Sequence, residues 1–392
     1  MSEWKKVKLG DICERVTSGG TPKANVTSYY NPPTIPWLKT KEVNYCRITE
    51  TENYISEEGL ANSSAKLIAP NSVIIAMYGQ GDTAGRVAIN KIPLTTNQAC
   101  CNLTIDESKA DYEFIYYQLC TLYNKMVSLK AGAAQPNLNA QIIKNIEVKL
   151  PSLPIQHRIA SILSRYDSLI ENYQKQIKLL EEAAQRLYKE WFVDLHFPGH
   201  ENAKIVDGVP EGWEKKKLVD MVDVQYGYAF DGKLFNSNRE GKPILRIRNI
   251  PDGITSDYTT EEASKDYIVH NGDIVVGMDG IFHINSWSGG DAYLVQRACS
   301  FRPKEECMKG FVFQAIQEPI KFFEKTLVGA TVAHLGKKHI DSIELCVPKN
   351  FDLYQPFSKF YNQRQGLLSQ IRLLTEARDR LLPKLMSGEI AV

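Results

Sequence analysis

Residues 159–191 read IASILSRYDSLIENYQKQIKLLEEAAQRLYKEW, and an apolar or aromatic residue recurs in this stretch at alternating steps of four and three. Neither proline nor glycine interrupts the pattern. Such a heptad period is typical of a coiled-coil helix. We predict a helix from 155 to 191, and a helix of about 40 residues measures about 60 Å. The positions predicted to pair with a second helix are Leu163, Tyr166, Ile170, Tyr173, Ile177, Leu180 and Leu187.

A second periodic stretch runs from residue 355 to residue 386. Arg364 and Arg378 interrupt its apolar stripe, and we interpret their aliphatic stems as a cover for apolar surface. The sequence QIKLLEEA at 176–183 also matches QIRLLTEA at 370–377, so the two helices are copies in the same phase. We predict that they pair antiparallel. The pairing positions of the second helix are Phe360, Leu367, Ile371, Leu374, Leu381 and Leu385.

The duplication extends beyond the helices. WKKVKLGD at 4–11 resembles WEKKKLVD at 213–220, and similar pairs of short segments continue in the same order. A repeat of this length indicates a duplicated domain. Short β-branched runs mixed with helical stretches favour an α+β fold. We predict a globular domain at 1–154, a helix at 155–200, a second globular domain at 201–350 and a second helix at 351–392. The copies differ mostly in their loops. This indicates two domains that share one backbone architecture and recognise different targets.

Composition and charge exclude several classes of protein. The chain has 392 residues, enough for two or three domains. Its 47 basic and 46 acidic side chains leave a net charge of +1, which excludes a polycation that binds any anionic surface. No apolar run reaches the roughly 18 residues of a membrane helix, and the first residues lack the apolar core of a signal peptide. The 8 cysteines form no CxxC pair. We expect a reduced, cytoplasmic protein with no membrane partner.

A search for catalytic chemistry finds only weak candidates. Asn31-Pro32-Pro33 resembles the start of an amino-methyltransferase motif, but Thr34 replaces the aromatic residue that stacks on a flipped base. The glycine-rich loop 79–85 lacks the Lys-Ser/Thr of a nucleotide-binding loop. Asp231 and Glu240 suggest a nuclease carboxylate pair only faintly. Four residues after the first long helix have side chains that can bind a metal ion: Asp194, His196, His200 and Glu201. We interpret them as caps of the helix end. We expect no catalytic residue and no metal site.

Five segments in this order resemble the specificity subunits of type I restriction–modification systems, and the resemblance covers nearly the whole chain. They are GAAQPNL at 132–138, LPSLPIQ at 150–156, WFVD at 191–194, VPEGW at 209–213 and LPKLMSGEI at 382–390. The second half departs from the pattern, because residues 329–335 lack the Gln-Pro of the first copy. Residues 350–355 are likewise a loose version of the segment that opens the first helix.

The resemblance implies two target-recognition domains separated by two antiparallel helices. Each domain would read one half of a bipartite, asymmetric site in double-stranded DNA. The subunit would have no catalytic activity and bind no cofactor. It would assemble with two methyltransferase subunits and with restriction/translocase subunits, and those partners would use S-adenosylmethionine, ATP and Mg²⁺. The helices would dock the methyltransferases and set the spacer, since half-sites about one DNA turn apart need a rigid element of about 35 Å.

Base edges are read best by Arg and Lys on guanine and by Asn and Gln on adenine. We select such residues in loops near the repeated motifs. The candidates in the first half are Lys39, Lys41, Gln80, Arg86, Gln98, Gln135 and Asn137. The candidates in the second half are Arg246, Arg248, Asn249, His283, Gln296, Arg297, Thr331 and His334.

Two hypotheses from other classes stay open. The chain is a self-contained DNA methyltransferase or nuclease if one of the weak catalytic candidates is real. It is a coiled-coil scaffold without nucleic acid if the balanced charge reflects a purely structural role.

Overall fold

The computed structural model describes residues 4–131, 137–327 and 333–392. The chain divides into two compact units. The first unit comprises Met1–Leu169 and Leu374–Val392, and the second comprises Ile170–Leu373. Each unit therefore contains one globular half and one section of each long helix. The domain boundaries after residues 154, 200 and 350 stay predictions.

The described residues of the first unit form short strands, the helices up to the long one and the end of the C-terminal helix. Its strands are β1 Lys5–Lys8, β2 Cys13–Ser18, β3 Ile35–Leu38, β4 Arg47–Ile48, β5 Tyr54–Ile55, β6 Val73–Ala76, β7 Val87–Asn90, β8 Thr95–Thr96, β9 Cys100–Ile105 and β10 Glu147–Leu150. Its helices are α1 Glu57–Ala61, α2 Tyr112–Thr121, α3 Tyr123–Ala131, α4 Ala140–Lys144 and the start of α5 Leu153–Tyr188. The sheets have the strand orders β2-β9-β6-β7-β4, β5-β3-β8 and β1-β10.

The five-stranded sheet of the first unit is covered on both faces. Every residue of β6 and β7 is buried; β6 reads as a continuous apolar run, and β7 ends on the buried Asn90. Val73 and Ile75 face a core that includes Phe114 of α2 and Leu163 of α5. Ile74 faces a smaller core on the other side. The helical segment after this sheet consists of two helices, α2 and α3, with a break at residue 122.

The second unit repeats this architecture. Its strands are β11 Ile205–Val206, β12 Val209–Pro210, β13 Trp213–Lys217, β14 Val222–Tyr226, β15 Phe235–Asn236, β16 Lys242–Leu245, β17 Tyr258–Thr259, β18 Ile268–Val269, β19 Ile274–Gly277, β20 Ile284–Ser286, β21 Ala292–Leu294, β22 Ala298–Pro303 and β23 Glu344–Pro348. Its helices are α6 Leu218–Met221, α7 Lys309–Ala315, α8 Gln317–Thr326, α9 Lys337–Asp341 and the start of α10 Gln355–Ser387. The main sheets have the orders β14-β22-β19-β20 and β15-β17-β16-β21-β18.

The central strands of the two units match. The order β2-β9-β6-β7 corresponds to β14-β22-β19-β20, and the ribbon β1-β10 corresponds to β13-β23. The parallel pair β3·β8 likewise corresponds to β16·β21. The α+β class and the internal duplication expected from the sequence are confirmed.

The long helices have nearly the predicted bounds, and a π-helical turn at Lys189–Val193 follows α5. In the first unit the start of α5 shares a core with the end of α10 through Ile159 and Leu385. In the second unit the end of α5 meets the start of α10, where Trp191 lies 6.0 Å from Phe357 by ring centroids. Contacts of this order make the two helices antiparallel. Every predicted pairing position is buried or half-buried.

The two arginines in the stripe of α10 do more than cover apolar surface. Arg378 Nη1 lies 2.7 Å from Asp167 Oδ1 in the first unit, and Asp167 also accepts a hydrogen bond from Arg47 at 2.9 Å. Arg364 Nε lies 2.6 Å from Glu181 Oε1 in the second unit, and its Nη2 donates to Asn285 at 2.8 Å. Each unit thus ties α10 to α5 through a guanidinium. The interpretation of these arginines as aliphatic cover missed their charged partners.

Candidate nucleic-acid interface

Three chain segments meet at one edge of the main sheet in the first unit. The backbone N–H of Met77, just after β6, donates to the carbonyl of Ala99 at 2.7 Å. The N–H of Leu138, just before α4, donates to the carbonyl of Met77 at 3.2 Å. We call this meeting point the loop junction.

The second unit builds the same junction from different residues. Met278 N–H donates to the carbonyl of Arg297 at 2.8 Å, and Leu335 N–H donates to the carbonyl of Met278 at 2.7 Å. The backbone geometry is therefore shared, because these bonds use main-chain atoms alone. Side chains at the junction are free to differ between the units.

The junction gathers predicted contact residues of the first half. Gln80, Gln98 and Asn137 are exposed there. The amide oxygen of Gln98 accepts a hydrogen bond from the Thr21 hydroxyl. Arg86, at the end of the loop that carries Gln80, donates to Asn44 at 3.0 Å. Gln135 lies outside the described residues.

The junction of the second half is charged. Asp279 accepts from Arg297 at 3.0 Å, and His334 Nδ1 lies 2.5 Å from the same carboxylate. Gln296 is exposed at the position equivalent to Gln98. His283 is the counterpart of Arg86, because its carbonyl accepts from Gly277 as that of Arg86 accepts from Ala76. Thr331 lies outside the described residues.

The remaining candidates lie on a short 3-10 turn in each half, Thr40–Glu42 or Ile247–Asn249. Lys39 and Arg246 precede these turns at equivalent positions, and Lys41 and Arg248 lie within them. The Lys39 ammonium lies 5.0 Å from the centre of the Trp37 ring, and Arg246 lies 5.1 Å from that of Phe235. The Asn249 side chain accepts from the backbone of Arg246 at 2.9 Å and so fixes the second turn.

Each 3-10 turn adjoins the loop junction of its own unit. The N–H of Asn97 donates to the carbonyl of Leu38 at 2.9 Å, and the N–H of Val295 donates to that of Leu245 at 3.0 Å. The described candidates of each half therefore lie on adjoining segments, which together we call the reading face. It consists of the 3-10 turn and the loop junction.

Several cationic groups on both reading faces have acidic neighbours. Arg86 lies 2.6 Å from Asp82, and Lys41 is paired with Glu52. Arg248 contacts both carboxylate oxygens of Asp257. Partial burial would raise the pKa of Asp257, but the hydrogen bonds from Arg248 and Asn249 and the charges of Arg248 and Arg246 together outweigh it and leave that pKa lowered. Any anion or hydrogen-bond acceptor that approaches these cations must therefore compete with the carboxylates.

Comparison with known proteins identifies the family of the chain. The family described as "Type I restriction modification DNA specificity domain" matches residues 1–182 and 210–367. The chain belongs to this family. The two matched segments correspond to the two copies of the internal repeat.

Relatives of this specificity-domain family align along the whole chain. The specificity subunit of the type I restriction enzyme MjaIX of Methanocaldococcus jannaschii is 28% identical over 426 residues, which covers 100% of this chain and 94% of the relative. That of the type I enzyme HindI of Haemophilus influenzae is 22% identical over 480 residues and covers 100% of both. A type I restriction–modification S subunit from M. genitalium has the same fold, with a TM-score of 0.59, 18% identity and coverage of 97% and 96% of the two chains.

Sequence reasoning missed Asp279, the residue that organises the junction of the second half. Arg, Lys, Asn and Gln are the usual partners of guanine and adenine, so a carboxylate fell outside the prediction. The repeat held a signal, because Met77-Tyr78-Gly79 corresponds to Met278-Asp279-Gly280. The exchange of an aromatic residue for a carboxylate at one position of the repeat marks a difference between the two reading faces.

The weak catalytic candidates have ordinary structural contacts in this family member. Asp231 caps a 3-10 turn by accepting from the N–H of Lys233 at 2.9 Å. Asp194 lies 2.5 Å from the Lys189 ammonium, and His200 Nδ1 lies 3.0 Å from the carbonyl of Phe197. Across residues 4–131, 137–327 and 333–392, no group of three or more His, Cys, Asp or Glu is arranged to hold a metal ion. Within the same ranges, no helix has the length and apolar character to cross a membrane.

Proposed function

We propose that this chain reads DNA sequence for a type I restriction–modification complex, with each globular half contacting one half of a bipartite site in double-stranded DNA. The observation that carries the proposal is the shared loop junction with unlike side chains. One backbone frame holds exposed amides in the first half and a guanidinium, an imidazole and a carboxylate in the second. Such a pair of faces suits two different base sequences.

The side chains favour different bases in the two half-sites. The exposed amides of Gln98 and Asn137 suit adenine, which offers one donor and one acceptor in the major groove. Arg297 and His334 suit the acceptors of guanine. Lys39, Lys41, Arg246 and Arg248, on the 3-10 turns, are suited to phosphates or guanines at the border of each face. The assignment of individual contacts is part of the proposal.

The partners in this proposal are two methyltransferase subunits, docked mainly on the long helices, and restriction/translocase subunits. Leu179 and Leu373 occupy the same position in the repeated helix sequence, and their exposures are 64% and 57%. A partner that covered these leucines would remove apolar surface from water. Two equivalent leucines provide two similar docking positions, as two identical partner subunits require. The paired helices also serve as the spacer between the half-sites.

In this proposal the chain itself catalyses nothing and binds no cofactor. The methyltransferase subunits use S-adenosylmethionine, and the restriction/translocase subunits use ATP and Mg²⁺. Recognition by the reading faces needs hydrogen bonds and charge, and it breaks no covalent bond. The complex would work in the cytoplasm, where chromosomal DNA and these small molecules meet.

Methylome sequencing of a host with and without this chain tests the proposal. We expect a bipartite methylated motif that depends on the chain and that vanishes when it is deleted. The host that carries Arg297→Ala should keep the first half-site and relax the second. Unchanged methylation after deletion of the chain would refute the proposal. Purified chain that alone methylated or cleaved DNA would favour the enzyme hypothesis instead.

A further inference from the structure

Tyr45 has an unusual backbone conformation on the first unit. Its φ is 52°, in the left-handed region that side chains with a Cβ rarely adopt. The residue is 38% exposed, so burial of its ring does not account for this conformation. Strained non-glycine residues of this kind persist where the surrounding structure holds them, and they cluster at functional sites.

The second half provides an internal reference for this strain. There the turn that follows the 3-10 segment carries Gly253 in the left-handed region, with φ 66°. Glycine adopts that conformation readily because it has no Cβ. A glycine thus supplies the left-handed residue after the 3-10 segment of the second half without strain, whereas the first half holds a tyrosine in that conformation.

The surroundings of Tyr45 belong to the reading face. Its N–H donates to the carbonyl of Val87 at 2.8 Å, which places it beside the end of the loop 77–86. Its ring lies 6.4 Å from that of Tyr123 in an edge-on contact. The neighbouring Asn44 accepts from Arg86 at 3.0 Å. An exposed aromatic ring next to an arginine and an amide is a typical composition of a nucleic-acid surface.

We propose that Tyr45 is a DNA-contacting residue of the first half, whose ring lies against a base at a deformable step of the first half-site. Every base offers a π-face to an aromatic ring, and apolar or aromatic side chains can wedge into steps that unstack easily. The contact belongs to the first half-site alone, because Asp252 and Gly253 occupy the equivalent turn of the second. This inference rests on the proposed function.

The test uses the full chain assembled with its partner subunits and a duplex that carries the motif found in the host. Tyr45→Gly removes the ring and relieves the strain, whereas Tyr45→Phe keeps the ring. We expect Tyr45→Gly to bind the duplex at least about tenfold more weakly, within the range of one lost base–aromatic contact. Its melting temperature should equal or exceed that of the wild type, and Tyr45→Phe should bind as the wild type does. Duplexes with a scrambled first half-site should no longer distinguish Tyr45→Gly from the wild type.

Several results would overturn the inference. If Tyr45→Gly bound DNA as tightly as the wild type, with or without a lower melting temperature, Tyr45 would be a packing residue. Loss of partner subunits from that variant, with DNA affinity unchanged once the complex is restored, would make it a protein contact. In both cases Arg297→Ala still relaxes the second half-site, so the proposed function stands. Absence of half-site discrimination in the wild type would instead remove the proposed function, and this inference with it.

Discussion

Arg378 Nη1 lies 2.7 Å from Asp167 Oδ1, although the two residues are 211 positions apart in the chain. The side chain of Asp167 is 7% exposed, and it also accepts hydrogen bonds from Arg47 and Tyr117. Burial of a charged side chain costs desolvation free energy, which its hydrogen-bond donors offset. Removal of that charge leaves the charges of its partners unpaired. A polar pair at one position of a helix seam also fixes the register of the helices.

Asp167→Asn should destabilise the first unit strongly. The substitution leaves Arg47 and Arg378 without their shared negative charge, and the loss of one partner of a buried pair costs about 3–5 kcal/mol. Urea unfolding followed by circular dichroism measures the change. Asp379→Asn is the matched control, because Asp379 contacts the same arginine with a side chain that is 57% exposed. A control variant as unstable as Asp167→Asn would show that the buried pair is unimportant.

The same cluster predicts an acid-sensitive stability. Burial would raise the pKa of Asp167 and of Glu113, but hydrogen bonds from Arg378, Tyr117 and Arg47 to Asp167, and from Arg47 and Lys91 to Glu113, leave both pKa values lowered. Carboxylates with lowered folded-state pKa values stabilise the protein fully above their unfolded values of about 4. That contribution is lost as the pH falls through the folded values. The unfolding free energy of the wild type should therefore decline below pH 4 more steeply than that of Asp167→Asn, as measured by urea titrations from pH 7 to pH 3.

The periodicity of the helices was predictable, and their ionic partners were not. Ile177 and Leu163 repeat at heptad spacing, so burial of one stripe follows from local sequence. The partner of Arg378 depends on how the end of α10 packs in three dimensions, and no local pattern encodes it. The duplicated architecture was likewise visible in the repeat, whereas the break between α2 and α3 was not.

Arg297→Ala should relax the second half-site and leave the first unchanged. Loss of a bidentate base contact costs about 1–3 kcal/mol at one position of the site. Methylome sequencing and binding to duplexes with single base changes measure it. Arg239→Ala is a suitable control, because Arg239 is also an exposed arginine of the second half with positive φ, 65° against 69° for Arg297. Equal relaxation in both variants would contradict the assignment of Arg297.

Asp279→Asn should weaken discrimination and strengthen sequence-independent binding. The carboxylate now holds Arg297 and His334, and an amide keeps the shape but removes the charge. Arg297 would then be freer to contact phosphates. The salt dependence of affinity for unrelated DNA should steepen, by up to about one unit of slope for one added phosphate contact. A salt slope unchanged from the wild type would argue against this role of Asp279.

Leu179→Asp and Leu373→Asp should each reduce the number of bound methyltransferase subunits from two to one. Each charge would lie in one of the two equivalent docking positions, and a buried unpaired carboxylate is costly. Native mass spectrometry of the reconstituted complex counts the subunits. Leu169→Asp is the control, since Leu169 is also exposed, at 45%, but the equivalent position in the second helix is Gln363. If both variants still bound two methyltransferase subunits, the docking surface would lie elsewhere on the chain.

The candidate site was only partly predictable. Loop positions near repeated motifs led to Gln98, Gln296 and Arg297, and the structure places the described candidates of each half on one reading face. Asp279 and Tyr45 escaped notice for different reasons. The role of Asp279 arises from side chains that approach it across the fold, and the strain at Tyr45 is a backbone property that the identity of the residue does not reveal.

The first unit is built from two stretches that lie far apart in the sequence, and this affects when the unit can be completed on the ribosome. At about 5–20 residues per second, translation needs roughly 10–40 s to travel from Asp167 to Arg378, which are 211 positions apart. Throughout that interval the nascent first half lacks the end of α10, and the carboxylate of Asp167 has only the donors of its own half. The second unit, which is made from residues 170–373 without interruption, emerges before the first unit can be completed. The half whose synthesis begins first is therefore the half whose last residues are synthesised last.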